Sequence, residues 1–305
     1  MTTPNTTFPE NDALTRERLS EILAQVCAAA GLDPRGARLI KFTNNAAFVL
    51  PADSVVVRIA GSAPVRDRAT TVVNVARWLA EHEVPAVRLL PGVEQPVMVG
   101  VHAATLWHYT EPSGPAPGGA DLGRILHRIH SLPPPAFDLP RWDPVPKFRR
   151  RIDDAEGLPA GDRDWLRSRC DELDAELTRL DYALHPGAIH GDAFVGNLIP
   201  GPDGPVICDF DSVSVGPREW DLTPAAVGKV RMDYAEDAHT PLAAGYGFDV
   251  MDWPGFATLR RVRELQLVTS VLPNLVSNPG LREQWEHRYR TLRADDTRTR
   301  WSTYR

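Results

Sequence analysis

The sequence predicts an α+β protein of two lobes, a small β-rich N-lobe and a larger, mainly helical C-lobe. Three observations carry this. β-type runs crowd into the first 110 residues. A Pro/Gly-rich segment, E-P-S-G-P-A-P-G-G at 111–119, follows them and reads as a linker. Beyond it the apolar spacing becomes mostly helical. The expected organisation is a disordered N-terminus over 1–12, an N-lobe over 13–110, a hinge over 111–119 and a C-lobe over 120–305.

The elements follow in order. Apolar residues recur at helical spacing from about residue 12 and stop at Gly31. Two β-type runs come next, 37–50 and 54–60, and the short P-A-D link between them predicts a hairpin. Residues 66–83 read as an amphipathic helix with Val72, Val73, Ala76 and Leu79 on one face, ended by Pro85. Short strands are expected over 87–101 and another over 105–109. In the second lobe, helices are expected over 121–130, over 162–180 and through most of the chain after 225. Short strands are expected only at 188–189, 197–200 and 206–210. Ligand clefts commonly lie between two such lobes.

Composition narrows the function class. A net charge of −6 argues against a nucleic-acid partner, which needs a basic face. No apolar stretch reaches membrane-spanning length, and residues 1–11 lack the apolar core of a signal peptide. Cys27, Cys170 and Cys208 are far apart, odd in number and without metal-ligand spacing, which suits a reduced cytoplasm. The expectation is a soluble cytoplasmic protein, monomer or homodimer, with no nucleic-acid or membrane partner.

The sharpest motif is A-I-H-G-D-A-F-V-G-N-L-I at 188–199, followed by V-I-C-D-F-D at 206–211. Phosphoryl transfer needs a carboxylate to orient the attacking hydroxyl and oxygen ligands for the Mg²⁺ that bridges the phosphates. Asp192 lies five residues before Asn197, and Asp209 twelve after it. A lone His-Gly-Asp occurs in ordinary turns. The joint spacing of four polar positions between two apolar runs is what carries information.

This stretch resembles the catalytic loop of the aminoglycoside phosphotransferase family, small-molecule kinases with a protein-kinase-like fold. Gly216-Pro217 and Asp221-Leu222 continue the match, and the resemblance runs from about residue 39 to 275. It implies ATP and Mg²⁺ as cofactors, Asp192 as the catalytic carboxylate, and Asn197 and Asp209 as metal ligands. His190 and Asp221 would support the loop, and Asp211 would either back the metal or hold a second one. In the N-lobe the family places a hairpin over the phosphates. Here Thr43, Asn44 and Asn45 offer donors there, and Arg58, alone in V-V-V-R-I, takes the phosphate-contacting position. A charge within such a run is costly without a partner, which a phosphate would supply. The helix Glu that usually pairs with this cation is missing: its position falls at Val72, with Asp67 as a substitute only one turn or more earlier.

Trp107, His108 and Tyr109 fall at the hinge, where backbone groups bind adenine by family analogy; the Trp107 side chain reads as core. ATP over GTP is the family default. His127 and His130 read as packing or solvated residues, since no third metal ligand accompanies them. Asp233, Glu236 and Asp237, with Tyr234 beside them, form an acidic stretch that would attract an amine-bearing substrate or simply face solvent. The acceptor is expected to be a small hydroxylated molecule: an aminoglycoside or other amine-bearing antibiotic, or a metabolic amino alcohol, sugar or nucleoside. A catalytically impaired nucleotide-binding relative is the competing class. Only twelve positions separate Asp209 from Asp221, too few for a long activation segment, which argues against a protein substrate.

Overall fold

A computed structural model of the chain describes residues 16–42 and 45–304; the expected disorder over 1–12 and the expected site residues Thr43 and Asn44 lie outside them. The chain divides into two compact units. The first comprises Met1–Ala116, Pro135–Phe137 and Leu198–Val213, the second Pro117–Pro134, Asp138–Asn197 and Ser214–Arg305.

The first unit opens with α1 (Arg16–Ala30), then β1 (Arg38–Phe42), β2 (Asn45–Leu50), β3 (Val55–Ala60), α2 (Ala63–Asp67), α3 (Ala69–Glu81), β4 (Val97–Val99) and β5 (His102–His108). The strands form one antiparallel sheet in the order β1-β2-β3-β5-β4. The β-type run expected over 37–50 forms two strands, paired with Arg38 opposite Val49 and Phe42 opposite Ala46. The helix expected over 66–83 is likewise two, broken at Arg68. Of the strands expected over 87–101, only Val97–Val99 forms.

Alternation along the strands gives the sheet two different faces. Phe48, Leu50, Val55, Val57, Ile59, Ala104 and Leu106 pack with Leu19, Ile22 and Val26 of α1 in one core. The intervening positions, Asn45, Ala47, Val56 and Arg58, are left for the opposite face. β3 is an interior strand, so Arg58 does not sit on an exposed edge.

The second unit contains α4 (Gly119–His130), α5 (Val145–Asp153), α6 (Ala160–Arg179) and β6 (Gly187–Ile189). The chain then contributes β7 (Leu198–Ile199) and β8 (Val206–Ile207), a two-stranded hairpin that belongs to the first unit. It returns with β9 (Ser214–Gly216), paired to β6, and with α7 (Glu219–Arg231), α8 (His239–Tyr246), α9 (Phe256–Thr269) and α10 (Arg282–Arg293). The core is built from Leu166, Cys170 and Leu173 of α6, Leu259, Val262 and Leu265 of α9, and Trp285 and Tyr289 of α10. Among the described residues no helix is long and apolar enough to cross a membrane.

One boundary needs correction. The C-lobe expected over 120–305 does not hold together as one unit, because 198–213 groups with the N-terminal sheet. The reason is backbone hydrogen bonding: Ile207 N donates to Pro85 O at 3.0 Å, and Val87 N donates to Ile207 O at 3.0 Å. Asp209 and Asp211 therefore travel with Arg58.

Candidate active site

In the first unit, a cavity of about 340 Å³ opens on the sheet face that carries Arg58. Ala47, Val56, Val87 and Ile199 supply apolar wall, and residues 108–110 with Pro112 form one side. Lys41, Asn45, Arg58, Asp209 and Asp211 form its polar end. An apolar slot with cations at one end fits a nucleotide, base against the walls and phosphates toward Arg58. Of the residues expected at the nucleotide, Asn45, Arg58, Trp107, His108 and Tyr109 all border this cavity. The Trp107 indole is committed to the core: it is 3% exposed, donates to Thr105 Oγ1 at 2.8 Å and leans on Phe210.

The polar end is a balanced cluster. Arg58 Nη2 donates to Asp209 Oδ1 at 3.1 Å and to Asp211 Oδ2 at 3.0 Å. Asn45 Nδ2 donates to Asp211 Oδ2 at 2.7 Å, and Lys41 Nζ stands 3.7 Å from Asp209 Oδ2. Two cations meet two carboxylates. Burial works against the Arg58 charge, but Asp211 and then Asp209 overcome it, so its pKa is raised. Burial pushes the Asp211 carboxyl up, assisted by repulsion from Asp209 and opposed by Arg58 and Asn45. Asp209 itself holds a left-handed backbone, φ 71°, ψ 68°, which a non-glycine residue adopts only where its surroundings impose it. Asp67 does not serve Arg58: its side chain is 73% exposed and 3.8 Å from Arg66.

The second unit holds the His-Gly-Asp loop, and Asp221 fixes it. The buried Asp221 carboxylate accepts from His190 N at 2.6 Å and from Gly191 N at 2.7 Å. It also accepts from His130 Nε2 at 3.0 Å, and the other His130 nitrogen meets Tyr246 Oη at 2.8 Å. Trp220 Nε1 donates to Gly191 O at 2.9 Å. Gly191 has φ +82°, a conformation that disfavours any side chain, so the turn needs glycine there. His190 is 1% exposed, placed as scaffold rather than at the surface. Asp192, at the end of this braced turn, keeps its side chain 43% exposed.

Asn197 Nδ2 donates to Asp192 O at 2.9 Å, which leaves its amide oxygen as the end free for a cation. Among the described residues no three His, Cys, Asp or Glu side chains are grouped to hold a metal alone. Mg²⁺ does not require such a cage, since it keeps waters and takes one or two protein oxygens beside phosphates. Asp209 in the first unit and the Asn197 amide in the second are each an oxygen donor of the type it takes.

Arg263 was not anticipated as a site residue. Its Nη1 donates to Asp192 Oδ1 at 3.1 Å and to Gln266 Oε1 at 2.8 Å. The expected substrate residues are less free than their sequence suggests. Asp233, Tyr234, Glu236 and Asp237 are all exposed. Asp237, however, accepts from His239 N and Thr240 N at the start of α8 and pairs with Lys229 Nζ at 2.9 Å. It thereby satisfies the first N–H groups of α8. Lys229, outside the acidic stretch in sequence, reaches it through the fold.

Residues 39–265, most of the chain, match the phosphotransferase enzyme family. The chain belongs to that family. No curated protein matches the sequence. Solved structures similar to this phosphotransferase include a choline/ethanolamine kinase family protein from Mesorhizobium loti, at 17% identity and TM-score 0.64, covering 90% of this chain and 94% of that one. They also include the amicoumacin kinase hAmiN, in complex with AMP-PNP, Ca²⁺ and Ami, at 13% identity and TM-score 0.69, covering 94% and 98%. A spectinomycin phosphotransferase bound to ADP and spectinomycin matches at 16% identity and TM-score 0.61, covering 88% and 93%. At these identities the likeness concerns the fold: this phosphotransferase has the kinase-like α+β architecture.

Proposed function

We propose that this phosphotransferase moves the γ-phosphoryl group of ATP to a hydroxyl of a small molecule, with Asp192 as the carboxylate that orients the hydroxyl and accepts its proton. The observation that carries this reading is the bracing of the His-Gly-Asp turn. Asp221 takes both N–H groups at 190 and 191, and Asp192 is left accessible at its end. Pre-positioning of this kind is what phosphoryl transfer asks of a protein, because little covalent chemistry falls to the side chains.

In this reading Asp209 and the Asn197 amide oxygen hold a divalent cation, which supplies charge neutralisation at the phosphates. Arg58 and Lys41 steady the phosphate oxygens, and the apolar wall of Ala47, Val56 and Ile199 takes the base. The charge balance supports a metal requirement. Lys41 and Arg58 are already matched by Asp209 and Asp211, so the polar end has no surplus charge for a bare triphosphate.

The competing reading, a catalytically impaired relative, was motivated by the missing helix Glu; the two carboxylates on the Arg58 guanidinium offer the pairing that Glu would give and favour the active reading. The deciding experiment is an ADP-release screen with Mg²⁺-ATP. It would cover aminoglycosides, other hydroxylated antibiotics, amino sugars, choline and homoserine, with Asp192→Ala as control. ADP release that depends on both an acceptor and Asp192 establishes the activity and its acceptor class. Equal release by wild type and Asp192→Ala refutes the assignment of Asp192.

A further inference from the structure

The partner of Arg58 is not where the family resemblance puts it. α3 carries no Asp or Glu before Glu81, and Val72, at the expected position, is 3% exposed and apolar. Both carboxylates on Arg58 come instead from 209–211, the segment that carries the candidate metal ligand. Arg58 therefore has two carboxylates where it needs one.

The two are held differently. Asp209 is met by Arg58 and by Lys41, whose side chain is 58% exposed. Asp211 is fixed at three points: Asn45 of β2 on its carboxylate, Arg58 of β3 on the same oxygen, and Arg68 Nη1, between α2 and α3, on its backbone carbonyl at 2.8 Å. A divalent cation on Asp209 would repel the guanidinium beside it. A guanidinium is a planar fork with several donors, so it can keep one carboxylate while turning another N–H to a phosphate.

We propose that Asp211 is the positioning residue for Arg58, replacing a helix carboxylate, with Asn45 holding Asp211. When Mg²⁺-nucleotide binds, Arg58 exchanges Asp209 for a phosphate oxygen and keeps Asp211. The proposal rests on the nucleotide-site reading above and deepens it. It has a structural consequence: the anchor of Arg58 and the metal ligand lie on one short segment, so Arg58 stays set for the phosphates without any contribution of charge from α3.

The test is a crystal structure with Mg²⁺ and AMP-PNP, together with phosphate release from Mg²⁺-ATP by wild type, Asp211→Asn, Asp211→Glu and Asn45→Ala. Melting temperature and AMP-PNP affinity are measured for each. The expected complex has Arg58 within hydrogen-bond distance of Asp211 and of a phosphate, and away from Asp209. Asp211→Asn is expected to lower kcat by roughly 10- to 100-fold, as a misplaced group does, while KM for ATP changes far less. Asp211→Glu recovers part of the loss, and Asn45→Ala shows a smaller loss of the same kind. Asp211 found on the cation, or Arg58 still on Asp209 in the complex, overturns the proposal. So does an unchanged kcat in Asp211→Asn, or a kcat loss that merely follows a lowered melting temperature and is not relieved by Glu. A wild-type chain that binds no Mg²⁺-nucleotide overturns the functional reading and this proposal together.

Discussion

Arg263 Nη1 lies 3.1 Å from Asp192 Oδ1, and the two side chains differ in access: 13% of Arg263 is exposed against 43% of Asp192. The carboxylate is thus held from its protein side and open on the other. Replacing Asp192 by Ala removes the group that receives the hydroxyl proton and is expected to cut phosphoryl transfer by about 10²–10⁴-fold. Nucleotide affinity, measured by calorimetry, should stay near wild type. Arg263→Gln keeps the contact with Gln266 in reach but frees Asp192 to turn. Its kcat should fall with little change in KM for ATP. A wild-type kcat in Arg263→Gln would show that the ion pair has no part in positioning Asp192.

Asp221 is the keystone of the same loop, and its substitution separates scaffold from chemistry. Its carboxylate receives three donors, His190 N, Gly191 N and His130 Nε2, at a position with no solvent exposure. An Asn there offers one acceptor oxygen and a competing N–H₂, so at least one buried donor loses its partner. Asp221→Asn is expected to destabilise the fold by about 1–3 kcal/mol, the usual cost of leaving a buried donor without its partner. Urea denaturation at pH 7 measures it. A cost within experimental error of zero would mean the loop is held by other contacts.

The spacing of Asp192, Asn197 and Asp209 was legible because all three fall within one short stretch of chain. Arg58 was legible because a lone charge in a valine run demands a partner, and the strand period assigned it a face. Arg263 was not legible: it lies 71 positions from Asp192, in a helix whose several arginines gave no reason to single it out. The same holds for Tyr246, 116 positions from the His130 it contacts. His127 and His130 look equivalent in sequence, and only burial separates them: His130 is 3% exposed, His127 is at the surface. α5 escaped notice because Arg149, Arg150 and Arg151 mask the apolar positions Val145, Phe148 and Ile152 that it buries. The grouping of 198–213 with the N-terminal sheet depends on backbone bonds to residues 85–87, which leave no mark on composition.

Asp237 gives a pH-dependent contribution whose sign can be worked out. The Lys229 ammonium, then the Thr240 hydroxyl and the α8 backbone N–H groups, hold its carboxyl well below the usual carboxylate range. A folded-state pKa below the unfolded one stabilises above the unfolded value and is lost as pH falls through the folded value. The side chain is 40% exposed, so screening limits the ion-pair part, and a capping contribution of about 1 kcal/mol is the expected scale. Asp237→Ala should be destabilised by that amount at pH 7. The difference from wild type should hold steady between about pH 5 and 8 and shrink in acid below about pH 4. Urea denaturation at pH 7, 5 and 3 checks this. A difference that grows in acid would contradict the assignment of Asp237 as an ionised cap.

Cys208, on the wall of the cavity that carries Arg58, reports on the field around Asp209. Burial, and then the Asp209 carboxylate, push its thiol up to about 11, against weaker opposing pulls from Arg58 and Lys41. The thiolate is the reactive form, so at pH 7.5 its population is roughly two orders of magnitude below that of an ordinary cysteine. Alkylation by iodoacetamide, followed by peptide mapping to separate it from Cys27 and Cys170, should be slow at pH 7.5 and rise steeply only above about pH 10. Steric shielding alone would slow the reaction without moving the pH at which it rises. Asp209→Asn removes the like charge and should shift that rise to lower pH, and a rise near pH 8.5 in the wild type would show that Asp209 and burial do not govern this thiol.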